Sequence, residues 1–192
     1  MKSHCFAAPL FCLALLSSPW VHAATLEGQN FDDSLRLANA DLQLNGLGLR
    51  GVMFIKGYVA GLYLHQKAAT LQAIEAVPGP KRLQLRMLRK AGPAEFIDAL
   101  VDGIRKNSSA SELQLLDERI AQLTRAIQAS GPAVVGDVIN FDYVPDQGTT
   151  LTVNGSAKGP AIPGADFYSA VLRIFMGEHP VDKKLKQGML GQ

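Results

Sequence analysis

Between Leu44 and Leu64 the chain is apolar and rich in Val, Ile, Phe and Tyr, the composition of strands, yet glycines interrupt it at 46, 48, 51, 57 and 61 and Arg50 sits among them. Glycine within a strand pattern marks a bulge, a bend or a place where another backbone comes close. A guanidinium in such a sheet is costly to bury unless something anionic or polar meets it. The sequence therefore turns on what Arg50 faces. One answer is an ordinary ion pair, or solvent at a strand end. The other is an anion held at the mouth of an apolar pocket, where a guanidinium pairs bidentately with a carboxylate. Tyr58 and Tyr63 are near enough in sequence for a phenolic hydroxyl to complete the anion's hydrogen bonds.

The chain starts with an export signature. Lys2, an apolar run from Cys5 to Leu16 and then Val21-His22-Ala23 read as a secretory signal peptide over 1–23, cleaved after Ala23. The run is shorter than the about 20 apolar residues a membrane span needs, and Phe11 ahead of Cys12 argues against a lipoprotein signal. Both cysteines fall in this segment, so the mature domain, 24–192, is expected to hold no disulfide and to rely on core burial. A soluble periplasmic protein with no integral membrane span is the expectation. The formal charge of +2 and the lack of a basic block predict no nucleic-acid partner.

The mature chain reads as one α+β domain. Residues 25–40 form a mixed polar lead-in with strand character near its end. Asn45-Gly46 is a hairpin-turn signal, and Leu47–Phe54 and Ile55–Leu64 read as two strands or one long bent strand. A short helix is expected over 68–76, closed by Pro78-Gly79-Pro80, and a half-buried strand over 82–88. Gly92-Pro93 opens a helix whose Phe96, Ile97, Leu100, Val101 and Ile104 share a face. A second helix runs from Ser111 to Ser130-Gly131-Pro132. A hairpin follows over 137–153, then a tight turn at Asn154-Gly155 and a short strand near Ala157. Phe167, Ala170, Val171, Ile174 and Phe175 mark a further helix that Gly177 ends, and 181–190 make a last short helix with Lys183, Lys184 and Lys186 outward.

Most chemistries have no residues to carry them. The mature chain keeps only His65 and His179, without ligand spacing, so no metal and no cofactor is expected. No Gly-x-Ser-x-Gly occurs. Gly46-x-Gly48-x-x-Gly51 matches a dinucleotide fingerprint literally, but no βαβ pattern surrounds it. The aspartates at 137, 142, 146 and 166 read as turn and cap residues.

Two blocks resemble the chalcone isomerase family. One is Gly48-Leu49-Arg50-Gly51 running into Phe54-Ile55-Lys56-Gly57-Tyr58 and on to Leu64. The other is Ser169-Ala170-Val171-Leu172 through Gly177-Glu178-His179-Pro180-Val181 to Leu185-Lys186. Gly92-Pro93-Ala94-Glu95-Phe96 resembles the start of a pocket helix between them. The resemblance is to the exported bacterial chalcone isomerase-like group. It implies an open-faced sandwich: a large antiparallel sheet packed against helices, with a ligand cleft between.

The resemblance places Arg50 where the plant enzymes hold a substrate oxyanion during ring closure. The remaining pocket positions differ. Tyr58 stands in place of a threonine, Phe96 of a tyrosine, Ala99 of a lysine, Gly103 of an asparagine, and Ile174 of a threonine or serine. The polar network that would orient a phenolate and relay its proton is missing. Other family members bind fatty acids without catalysis, through the arginine and a tyrosine. The expected function is therefore an exported, non-catalytic protein binding a small amphipathic anion, such as a fatty acid, with Arg50, Tyr58, Phe96, Ala99, Gly103 and Ile174 at the ligand. Two alternatives stand beside it. One is an isomerase (an intramolecular lyase) using Arg50 as oxyanion stabiliser and Tyr58 as proton donor or water orienter. The other is an interaction module whose cleft is filled by side chains.

Overall fold

The computed structural model describes residues 23–192, so the expected signal peptide over 1–23 lies outside the described residues but for Ala23. A first hairpin joins β1 (Ala23–Leu26) to β2 (Gln29–Asp32). The remaining strands form a seven-stranded antiparallel sheet in chain order: β3 (Ser34–Leu37), β4 (Ala40–Val52), β5 (Ile55–Leu64), β6 (Lys81–Met87), β7 (Val138–Val144), β8 (Gly148–Val153) and β9 (Ser156–Ala157). Five helices are interleaved: α1 (Leu71–Ala76), α2 (Pro93–Lys106), α3 (Ala110–Ser130), α4 (Ala165–Met176) and α5 (Lys183–Met189).

Side-chain alternation divides the sheet into two faces. Along β5, Ala60, Leu62 and Leu64 point into the main core with Leu83, Leu85, Phe141 and helix α4, whereas Val59 and Tyr63 point to the other side. Helix α4 is buried on nearly every side, from Phe167 to Met176, because it lies between the sheet and helices α1 and α2. Each large apolar side chain buried there contributes about 1.5–3 kcal/mol relative to exposure.

The opposite face is partly covered. The polar lead-in expected over 25–40 instead supplies β1, β2 and β3. Glu27-Gly28 and Ala38-Asn39 turn with positive φ at both residues, the backbone of tight hairpins. The hairpin delivers Phe31, fully buried, onto Gly61, where an added Cβ would stand 2.8 Å from its ring. These short strands, of which only β2 holds a fully buried residue, carry too little periodicity to announce themselves.

Asn45-Gly46 is not a turn. It is a bulge inside β4, between the pairs Leu44↔Tyr63 and Gly46↔Leu62. The Asn45 side chain is buried and donates to the carbonyls of Ala68 (3.0 Å) and Met189 (2.8 Å), while its Oδ1 accepts from the Ala68 amide (2.8 Å). The true turn is at Met53-Phe54, between the paired Val52 and Ile55. Helices and later strands fall within a few residues of their expected limits, and Asn154-Gly155 does turn a hairpin, with φ of 50° and 80°. Lys186 is not fully outward: it is half-buried, and its ammonium donates to the Gly177 carbonyl at 2.8 Å.

Candidate functional site

The glycines around Arg50 have a packing cause. Gly46 and Gly48 face the helix side of the sheet, opposite Leu62 and Ala60. A Cβ on either would overlap the carbonyl oxygens of Gly188 or Leu185, so the backbone of α5 rests directly on β4. Gly188 meets Leu47 in the same way from the helix side. The literal dinucleotide fingerprint is therefore a helix-on-strand contact. Arg50 is the next residue on that stripe. It pairs with Tyr58 across β4–β5, immediately before a second bulge whose extra residue is Gly57 of β5.

Beyond the first turn of α5 the stripe is no longer covered, and a cleft of about 300 Å³ opens. Arg50, Ile55, Gly57 and Tyr58 form its strand wall, with Met87 beside them. Arg89 and Ala91 come from the link between β6 and α2, Glu95, Phe96 and Ala99 from α2, and Val181 from the segment before α5. Four of the six residues expected at the ligand thus meet here: Arg50, Tyr58, Phe96 and Ala99. Gly103 and Ile174 do not. A Cβ on Gly103 would stand 2.6 Å from Ile174 Cγ2, so these two residues form the α2–α4 crossing, and both are buried. Arg89 and Glu95, which pair with each other, were not foreseen. Arg-Lys at 89–90 offers only a polar loop pattern until the fold brings it against α2.

Arg50 is three-quarters buried, with its side chain 25% exposed. Its Nη1 donates to the Gly51 carbonyl at 3.0 Å and lies 3.7 Å from Asp182 Oδ2. Asp182 is itself committed: its Oδ1 accepts from the Lys184 and Leu185 amides and caps α5, while its Oδ2 lies 3.5 Å from the Gly51 amide. Among the described residues, no protein acceptor meets Nε or Nη2 of Arg50, and none meets the Tyr58 hydroxyl. The Tyr58 ring packs edge-on to Phe175, 6.4 Å between centroids. Burial pushes its phenol well above the ordinary value, against an opposing pull from Arg50. At neutral pH Tyr58 is therefore a neutral hydroxyl donor.

Ala91 and Phe96 also line a second, smaller apolar hollow of about 30 Å³ with Ile127, Pro132, Leu151 and Val153. Apolar surface thus continues past Phe96, away from Arg50. Among the described residues no cluster of three His, Asp or Glu side chains is placed to hold a metal, and no helix is long and apolar enough to cross a membrane. The arrangement can take a ligand with one anionic end, met by a guanidinium edge and a hydroxyl, and an apolar remainder.

The fold agrees with what the chain is similar to. A solved structure of a fatty-acid binding protein from Arabidopsis thaliana superposes with a TM-score of 0.66 over 88% of this chain and 96% of that one. The two are 15% identical, so the likeness is one of fold. No curated protein matches the chain in sequence. The sequence model of the chalcone isomerase-like family matches residues 23–191, from the first strand of the covering hairpin to the end of the helix that lies on Gly46 and Gly48. With its curled antiparallel sheet and helices packed on one face, the chain thus belongs to the chalcone isomerase-like family.

Proposed function

We propose that this is an exported, periplasmic carrier or sensor of a small amphipathic acid, of the exported bacterial chalcone isomerase-like group, which binds its ligand without transforming it. One observation carries the reading. An apolar-walled cleft is lined by Arg50, whose Nε and Nη2 have no protein acceptor among the described residues, and by Tyr58, whose hydroxyl likewise has none. A ligand carboxylate supplies the missing acceptor, and the walls of Ile55, Met87, Phe96, Ala99 and Val181 take its chain. That a protein of the same fold is a fatty-acid binding protein supports this assignment. The volume lies at the small end of the about 300–1,000 Å³ usual for small-molecule sites, which suits a medium-chain acid such as dodecanoate. Export rests on the sequence pattern of residues 2–23.

An isomerase built on Arg50 needs a base within reach of its substrate. The carboxylate on the cleft wall is Glu95, and Arg89 engages it. Phe96 and Ala99 bring no polar group. An open cleft also argues against a scaffold with a filled one.

Native mass spectrometry of the protein from its own compartment, with extraction of bound molecules, tests the proposal. The expected result is a co-purifying acyl acid that Arg50→Ala loses. Turnover of a bound enone or chalcone would instead establish the isomerase.

A further inference from the structure

The β4–β5 hairpin ends in three consecutive apolar side chains that none of the described residues covers. Met53, Phe54 and Ile55 are 91%, 96% and 63% exposed. Two-residue hairpin turns are ordinarily built from Asn, Asp or Gly, because at least one central residue takes a positive φ. Here Met53 takes it, at 53°, a conformation that bulky side chains rarely adopt. Met and Phe therefore occupy the positions where both turn chemistry and solubility favour small polar residues, and departures of this kind concentrate at functional sites.

The tip adjoins the cleft. Ile55 belongs to the cleft wall with Arg50 and Tyr58. Basic residues flank the same end of the molecule. Lys56 follows the tip, Lys90 follows the cleft residue Arg89, and Lys183 and Lys184 open α5 just after Val181 and Asp182. Three carboxylates near the cleft are engaged, Glu27 by Lys56, Glu95 by Arg89 and Asp182 by Arg50, whereas the exposed Asp98 and Glu178 have no ion-pair partner among the described residues. Among the described residues Lys90, Lys183 and Lys184 have no carboxylate within ion-pair range, and all three are exposed.

A narrow convex apolar point backed by unpaired lysines complements the interface of an anionic bilayer. Apolar side chains enter the acyl boundary while ammonium groups stay at the headgroups. A protein partner would need a concave socket for the point and would gain little from the scattered lysines behind it. We infer that the β4–β5 hairpin tip docks on anionic lipid bilayers, bringing the cleft mouth to the lipid surface. The docking stands on the tip and the lysines alone. That the cleft is loaded from the bilayer rests on the carboxylate-pocket reading proposed above.

The test is flotation of the protein with vesicles of phosphatidylcholine alone, or with phosphatidylglycerol admixed. Dodecanoate affinity is measured separately, without vesicles. The protein is expected to float with the anionic vesicles far more than with the neutral ones. Met53→Ser with Phe54→Ser lowers the bound fraction by roughly tenfold or more, the scale for losing the burial of two large apolar side chains, and leaves dodecanoate affinity unchanged. Lys183→Glu with Lys184→Glu removes the preference for anionic lipid. No flotation, flotation indifferent to the serines, or equal binding to both vesicle types overturns the proposal. So does a dimer in light scattering that the same serines dissolve, which would assign the tip to a second copy. Tip-dependent flotation without dodecanoate binding would leave docking established and the pocket reading refuted, and the converse result would do the reverse.

Discussion

Under the proposed function, Arg50 and Asp182 decide how the cleft responds to a ligand. Their 3.7 Å separation is an internal ion pair in a partly buried site, so an incoming carboxylate competes with Asp182 for the guanidinium. Asp182→Asn keeps an N-cap of similar quality for α5 and removes the competing charge. It should tighten dodecanoate binding several-fold while leaving the thermal midpoint close to that of the wild type. Calorimetric titration and thermal unfolding of the two proteins check this. Tyr58 adds a neutral donor, since burial holds its phenol protonated. The identity of Arg50 as the residue to question was legible in the sequence, because a lone cation among strand glycines has few comfortable places. Its pairing with Asp182, 132 positions onward, was not, since nothing local links them. Gly103 and Ile174 do not line the cleft, for a related reason. A glycine on a pocket helix reads equally as lost polar lining or as a helix crossing, and only the contact with Ile174 Cγ2 decides for the crossing.

At the scale of elements, the contact of α5 with β4 shapes the site, because it covers Gly46 and Gly48 and stops short of Arg50. Gly48→Ala would drive a methyl group into the Leu185 carbonyl, backbone against backbone, with no flexible side chain to yield. Overpacking of this kind costs about 1–3 kcal/mol, and urea unfolding should show that loss as a lower midpoint with little change in slope. An unchanged midpoint would mean that α5 does not seat on the strand. Helices α2 to α4 were legible from their apolar periodicity and their Pro, Ser and Gly boundaries. The Asn45-Gly46 signal misled because that dipeptide supports a bulge as readily as a turn, and its tertiary partners, Ala68 and Met189, lie far along the chain. The real turn at Met53-Phe54 lacks every residue that turn chemistry favours, so only the strand register reveals it.

Across the whole molecule, charged groups tie helices α1, α3 and α4 together. Glu112 caps α3 through Ser109 and also receives Arg173 of α4 at 2.8 Å, while Arg173 approaches Glu75 of α1 at 3.5 Å. The Ser109 backbone bond, followed by the Arg173 bond, pulls the Glu112 carboxyl from 4.5 down to about 2. A carboxyl lowered in the folded state stabilises it above the unfolded value and ceases to do so as pH falls through the folded one. That contribution should be intact at neutral pH and disappear between pH 4.5 and about 2. Glu112→Gln should therefore cost stability at pH 7 and flatten the decline over that interval, as read from thermal midpoints across the pH range. Parallel declines in both proteins would contradict the assignment.

A comparison of dodecanoate with dodecanol isolates the proposed step, in which Arg50 reads the charged end of an amphipathic ligand. Both carry the same chain, and only one carries an anion. Wild-type protein should prefer the acid by about 10- to 150-fold, the equivalent of a charge-assisted hydrogen bond of about 1.5–3 kcal/mol. Arg50→Ala should bind both ligands alike, at the weaker affinity. Equal binding of acid and alcohol by the wild type, or an acid preference that survives Arg50→Ala, would contradict the central claim.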